Sequence, residues 1–504
     1  MGIISMTLQN VRSLRQPKFK MNGTKLLSGL CTLWLTACTL APKYQVPFMP
    51  ISPHYKEGGP WILVKSPHLL NEKNRDWWEL FQDRTLDQLE QQVTCGNQNL
   101  KVALARYQEA LADAQAARSA LYPTITGLGN AVRQKNSTTV ANIAAQPQST
   151  YNNYLLGGSL TYIIDAWGRV RNTVIASQDN ARASGFDLAA IELSLHSELA
   201  QDYFSLRGYE STQRILDATV IAYEKAFYLT HQRHKEGLAA EGDEDQAKTQ
   251  LEMAKTLAID TRLKRAQLEH AIAVLTGQIP ANFSLKTSKI PLKLVTVVPE
   301  VPATLLLKRP DIAAAEQRVE AANASIGVAR AAFFPDFNFT TVGGVQSNAF
   351  VSLFSAPSLF WSLGPVAGLA LAQPLMTQVI FDGFLIQALL KKAKASYFEA
   401  VSAYRQTVLT AFQQVEDGLV AIRRLDQEIK TQKASVVAAK RALYQSNQRY
   451  KGGIATYLDV IITENEALQA QLALVNIQTR RQIASVDLIE ALGGGWVVPC
   501  CRTQ

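Results

Sequence analysis

The chain is written twice, and no other feature constrains its fold as much. Ala117-Arg118-Ser119-Ala120-Leu121-Tyr122-Pro123 is matched by Ala329-Arg330-Ala331-Ala332-Phe333-Phe334-Pro335, 212 positions later. Trp167-Gly168 is matched by Asp382-Gly383 at a shift of 215. Arg233-His234-Lys235-Glu236-Gly237-Leu238-Ala239 is matched by Arg449-Tyr450-Lys451-Gly452-Gly453-Ile454-Ala455 at 216, a shift that also joins Asp243 to Asp459 and Gly277 to Gly493. A nearly constant shift that keeps Pro, Gly and Asp in place together marks a duplicated structural unit. Proline-rich stretches, Pro42 to Pro67 and Pro280 to Pro310, precede the halves and read as extended linkers, since proline continues neither a helix nor a sheet ladder.

Each half reads as helix, two strands, helix, helix. Residues 86–121 and 311–333 are Ala-rich helix formers ending at a Tyr/Phe-Pro pair. Pro310 and Asp311 suit a helix start, with proline at the first position and an acid in the first turn. A window without charge follows in each half, Ser137 to Ile164 and Phe337 to Phe381. Gly343, Gly344, Pro357, Gly364, Pro365, Gly368 and Pro374 break the longer window, which excludes a spanning helix. Its ends predict strands at Asn338–Val342 and Leu369–Ala372; the first window and its approach predict them at Thr124–Leu128 and Ser159–Ile163. Uncharged, weakly apolar strands of about ten residues are the signature of a membrane β-barrel. Four strands cannot close a barrel, and lipid tolerates no open edge. The barrel is therefore shared between chains, with 12 strands in a trimer or 8 in a dimer.

Very long helices come next. Val401, Val408, Val415, Ile422 and Ile429 recur every seven residues, alternating with Tyr404, Ala411, Gly418 and Leu425. That is an a/d heptad seam with β-branched residues at a. Ile461, Leu468 and Val475 continue the period on a returning helix, and Ile191, Leu195, Leu199, Tyr203 and Leu206 form a looser seam in the first half. At about 1.5 Å per residue the long helices run roughly 100 Å. They are too long and too polar for a bilayer and must project into an aqueous compartment.

The N-terminus is an address. Residues 1–37 hold Arg12, Arg15, Lys18, Lys20 and Lys25 and no acid; without them the net charge falls from +9 to +4. No clustered basic face is found, so no nucleic-acid partner is expected. Lys25, the apolar Leu26 to Thr36 and the run Leu35-Thr36-Ala37-Cys38 form a bacterial lipobox, with Cys38 the acylated first residue of the mature chain. Met21 is an alternative start. Cys31 follows Leu30 and fits the cleavage less well. Thr39, not aspartate, follows Cys38, which favours the outer membrane. The cysteines form no CxxC pair, and P-loop, HExxH, GxSxG and dinucleotide motifs are absent from the sequence. Neither enzymatic activity, nor a cofactor, nor a metal is expected; His231 and His234 read as a solvated helix face.

Together these features resemble the TolC-like outer-membrane efflux proteins, in the lipoprotein branch of OprM and NodT relatives. The most specific stretches are Asp76-Trp77-Trp78-Glu79-Leu80-Phe81, Asp165-Ala166-Trp167-Gly168-Arg169, Lys308-Arg309-Pro310-Asp311-Ile312 through Phe334-Pro335, and Ile380-Phe381-Asp382-Gly383. The resemblance implies a mainly α fold with a membrane β-barrel: a trimer whose 12-stranded barrel continues into a long periplasmic α-helical barrel. The function implied is the outer-membrane channel of a tripartite pump that exports drugs or other toxic small molecules. Its partners would be a periplasmic adaptor, an inner-membrane pump of the RND type and outer-membrane lipid, in a Gram-negative bacterium. A duct for type I protein secretion and a lipid-anchored coiled-coil tether without a pore are the alternatives.

The resemblance also places sites. Gly237, Leu238 and Ala239, with Gly453, Ile454 and Ala455, would be the adaptor-docking tips. Asp459, Asp243 and Tyr450 would form the periplasmic gate: a ring of Asp459 carboxylates and a Tyr450–Asp243 latch. The relatives have arginine where Ala455 stands, and some have a second gate acid where Ile462 stands, which implies a weaker latch and a single ring. The expected organisation is a signal segment over 1–37, a lipidated linker over 38–85, repeats over 86–280 and 308–494 with a Pro-rich linker over 281–307, and a tail over 495–504. Trp361 to Gly383 spans 22 residues where Tyr154 to Gly168 spans 14, so an extra segment around Leu371 to Val379 either lengthens the last strand or forms a bulge.

Overall fold

The computed structural model describes residues 39–50, 52, 55–58, 76–135, 150–288, 309–364 and 376–494. The signal segment, Cys38, residues 289–307 of the second linker, the tail and the strand expected at Leu369–Ala372 lie outside them. In chain order the elements are α1 (Arg84–Gly96), α2 (Gln98–Ser119), β1 (Thr124–Gln134), β2 (Tyr151–Ile164), α3 (Arg169–Lys235), α4 (Glu241–Leu275), α5 (Pro310–Ala331), β3 (Asp336–Ser347), β4 (Leu359–Leu363), β5 (Met376–Thr377), α6 (Leu385–Lys451) and α7 (Tyr457–Ala491). They fall into two compact units. One holds Leu121–Asn172 and Gly327–Ile386 with Thr39 to Ala41; the other holds Pro42–Ala120, Thr173–Ile326 and Gln387–Gln504.

The duplication survives to the residue. α3 and α6 have 67 residues each, α4 and α7 have 35 each, and both pairs are displaced by 216. α2 and α5 have 22 each and are displaced by 212. All four long helices end alike, on a glycine at positive φ: Gly237, Gly277, Gly453 and Gly493. At each, the amide of the glycine and that of the next residue donate back to the last turn, as Gly237 to His234 and Leu238 to Arg233 do. This Schellman closure satisfies carbonyls the helix leaves unpaired.

The helix expected over 86–121 is two helices, broken at Asn97. Asn97 is extended and caps α2 by accepting from the Leu100 amide, while its Nδ2 donates to the Leu275 carbonyl. Beside it the backbones of Gly96 and Gly277 cross so closely that a Cβ on Gly96 would stand 2.2 Å from the Thr276 carbonyl oxygen. Helix periodicity carries no trace of such a distant contact. Gly96→Ala should therefore lower stability by about 1–3 kcal/mol, read as a lower melting temperature in detergent; an unchanged value would mean the crossing can open.

In the helical unit Trp77, Trp78 and Phe81 form a buried 3-10 turn against Leu86, Leu199 and Tyr203. The predicted a/d residues of α6, Val401 through Ile429, are all buried. Glu90 of α1 and His196 of α3 are buried with them, Oε2 to Nδ1 2.7 Å apart, and Trp78 stacks on the imidazole at 4.6 Å. Burial raises the Glu90 carboxyl well above its usual value and lowers His196 to about 4.

In the other unit β1, β2 and β3 pair in sequence, all antiparallel. Residues 365–375, which include the start of the expected extra segment, lie outside the described residues. β4 and β5 pair successive parts of β3: Leu363 opposes Thr341, and Met376 opposes Phe337. Leu363 and Met376 are thirteen positions apart and their partners on β3 only four.

Candidate functional site

Directly opposed residues of an antiparallel sheet share a face. The register therefore sorts the strands into two surfaces. One carries Ile125 of β1, Tyr154, Leu156, Leu160, Tyr162 and Ile164 of β2, Phe337, Phe339 and Val345 of β3, and Leu359, Trp361 and Leu363 of β4. The opposite surface is mixed: it carries Thr124, Thr126, Asn130, Asn153, Ser159, Thr161, Asn338, Thr340, Gln346 and Ser362 together with Leu128, Val132, Leu155, Ile163, Val342 and Phe360. The first is aliphatic and aromatic yet open, with Ile125 76% and Trp361 73% exposed. Among the described residues no helix is long and apolar enough to cross a membrane.

Aromatic and charged side chains fix how this sheet passes into helix. Trp167 stacks on Phe334 at 4.8 Å and its Nε1 donates to the Pro335 carbonyl. Gly168 takes a positive φ, and the Asp165 carboxylate accepts from the Val170 and Arg171 amides at the start of α3. Asp382 does the same for α6, accepting from Ile386. Nearby, Thr39 exchanges hydrogen bonds with Asn172, and the Leu40 carbonyl accepts from Arg330.

At the other end of the long helices stand the two hairpin turns. Leu238 is 73% exposed and Ile454 75%, each just after its glycine. Asp459 closes a capping box on α7: its carboxylate accepts from the Thr456 amide (2.9 Å) and hydroxyl (2.8 Å), and Thr456 accepts from the Asp459 amide. These bonds from Thr456 hold the exposed Asp459 carboxyl below its usual range. Asp243 occupies the same position of α4, where Ala240 offers no hydroxyl and no side chain caps the helix. Tyr450 does not meet Asp243 as expected. Its hydroxyl accepts from Arg233 at 2.8 Å, and the same guanidinium lies over its ring. The cation at the last turn of α3 supplies a charge-assisted bond, and only the pairing of helices 216 positions apart reveals it. His231 is paired with Glu244 and His234 with the Ala239 carbonyl. Among the described residues no group of three metal ligands forms.

A protein-family model described as outer membrane efflux protein matches residues 89–278 and 301–494. The chain belongs to the outer membrane efflux protein family. The outer membrane protein OprJ of Pseudomonas aeruginosa is 30% identical over 486 residues, spanning 96% of this chain and 97% of its own. The toluene efflux pump outer membrane protein TtgC of Pseudomonas putida is 28% identical over 463 residues, 92% of this chain and 93% of its own. The crystal structure of the Campylobacter jejuni CmeC outer membrane channel superposes with a TM-score of 0.81 at 26% identity, covering 91% of this chain and 96% of that one. This efflux protein is thus an outer-membrane component of an export system.

The family motifs of this efflux protein work as joints. Arg309 makes a bidentate pair with Asp311 and donates to Gln414 and to the Ala491 carbonyl, an end carbonyl of α7. Asp83, just after the Trp-Trp motif, caps α1 and accepts from the Tyr203 hydroxyl at 2.5 Å.

Proposed function

We propose that three copies of this chain form the outer-membrane duct of a tripartite small-molecule efflux pump. The observation that carries this reading is the sheet with one apolar, open face and, among the described residues, two unpaired outer edges, on β1 and on β4. An open edge is costly in lipid. Two chains would close only eight strands, whose interior side chains fill; three close twelve and leave a passage. The apolar face then meets lipid, and the mixed face that carries the Thr, Ser, Asn and Gln residues lines the passage. The acyl anchor belongs at Cys38, because Thr39 and Leu40 are already tied to the helix ends beside the strands, where the chain leaves the bilayer. The exposed Leu238 and Ile454 suit an adaptor's coiled coil, and the inner-membrane pump, of RND type, supplies the energy. This chain performs no chemical step. The exported class is drugs or other toxic small molecules.

The gate reading changes in one member. Asp459 and Asp243 stand near the constriction, while the latch is Arg233 on Tyr450. A ring of ionised Asp459 carboxylates would make the closed end sensitive to cations. The test is conductance of the purified protein in planar bilayers, with restored drug tolerance in a strain lacking its own channel. Wild type should pass little current, and Arg233→Ala with Tyr450→Phe should raise it several-fold. A wild-type preparation that is a solid rod or a monomer, without current in any variant, would leave the poreless tether as the better account.

A further inference from the structure

A duct needs no binding site in its wall, yet the helical unit contains one place built like a site. α3 and α7 pack antiparallel, with Gly208 against Thr479 and Ile215 near Leu472. Farther along, Ala218 and Ala222 of α3 face α7 with too little side chain to fill the interval. An open groove of about 540 Å³ remains, with Leu443 of α6 among its lining residues. That is the size of ordinary small-molecule sites. Its wall is largely apolar: Ile215, Ala218, Ala222 and Leu468.

The two ends differ in charge. Glu464 and Tyr223 share one end; Arg214 lies nine residues before Tyr223, about 14 Å along the helix. Arg214 is held on its own helix by the Ser211 hydroxyl at 2.9 Å and the Glu210 carbonyl. Among the described residues Glu464 makes no ion pair, and burial alone raises its carboxyl to about 7. The groups near it are the phenols of Tyr223 and Tyr457, with Leu443 from α6 and the distant Arg214. A half-buried carboxylate among aromatic rings and small apolar side chains, with no cation of its own, is a poor packing element. It is the complement of a hydrophobic cation.

We propose that this groove binds an amphipathic organic cation, its charged head against Glu464 and Tyr223 and its hydrocarbon along Ile215, Ala218 and Ala222. The bound cation replaces the counter-ion the fold omits, so binding favours the ionised carboxylate.

The experiment uses the full chain in neutral detergent, with tetraphenylphosphonium as probe and tetraphenylborate, an anion of the same shape, as control. Titration calorimetry should show saturable binding of the cation and none of the anion. Glu464→Gln should weaken binding at least tenfold, and Ala218→Phe, which fills the groove, should abolish it. Affinity in wild type should fall as pH drops below about 7, by up to tenfold per unit, and Glu464→Gln should lose this dependence. Glu464→Gln removes only a charge, so its folding is checked by an unchanged or higher melting temperature at pH 8. Equal binding by wild type and Glu464→Gln, equal binding of the anion, or no saturable binding by wild type would each overturn the proposal.

Discussion

Arginine in place of Leu160 should abolish accumulation of the assembled protein in the outer membrane, while arginine at the adjacent Ser159 should leave it intact. The two residues are neighbours on β2 and differ only in face. Leu160 opposes Ile125 and Thr341 on the apolar surface; Ser159 opposes Thr126 and Val342 on the other. An arginine facing lipid near the bilayer midplane costs about 2–4 kcal/mol per chain, and a symmetric assembly incurs it in every copy. An arginine lining the passage stays hydrated and should instead reduce cation conductance. The measurement is membrane fractionation with heat-dependent mobility on gels, followed by bilayer conductance for the Ser159 variant. Equal tolerance of both substitutions would sink the assignment of faces.

Breaking the buried Glu90–His196 pair by Glu90→Ala should cost about 1–3 kcal/mol, because it strands a neutral polar partner inside the core. The pair also predicts a pH dependence whose sign can be worked out. Glu90 is raised in the folded state, so its contribution is complete below the unfolded value of 4.5 and declines as pH rises. His196 is lowered to about 4 against 6.5 unfolded, so its contribution grows with pH up to 6.5. Between 4.5 and 6.5 the two offset, since folded and unfolded pairs each hold one proton. Above 6.5 the unfolded pair holds no proton, so stability falls with pH for as long as the raised Glu90 carboxyl keeps its own, by up to about 1.4 kcal/mol per pH unit. Glu90→Gln, which keeps a hydrogen-bonding group, should flatten this alkaline decline. Melting temperatures of wild type and variant from pH 6 to 9 check it; parallel curves would exclude the shared proton.

Much of the fold was legible because it is periodic or local. The heptad of α6 needs only residues seven apart, and every predicted seam position from Val401 to Ile429 is buried. The four helix ends needed only their glycines, since an αL residue after a helix is a local backbone requirement. The duplication placed these features twice, so each half checked the other. The hairpin turns at Gly237 and Gly453 were readable from turn chemistry alone, while the Thr456–Asp459 capping box is an [ST]xx[DE] pattern that the gate reading passed over.

What tertiary structure decided lies where residues distant in the chain meet. Alternation along a strand says that two faces exist; only the register of β2 against β3, 191 positions apart at Leu155 and Gln346, says which residues make the apolar one. The break at Asn97 stands beside a glycine crossing with Gly277, and β4 and β5 are joined to one sheet only by their separate pairing with β3. Tyr450 took Arg233 in preference to Asp243, and Glu90 found His196, 106 positions away. Helix and turn preferences come from each residue's near neighbours and are written in local sequence. Pairings across the fold depend on how whole elements pack, and no local pattern encodes that choice.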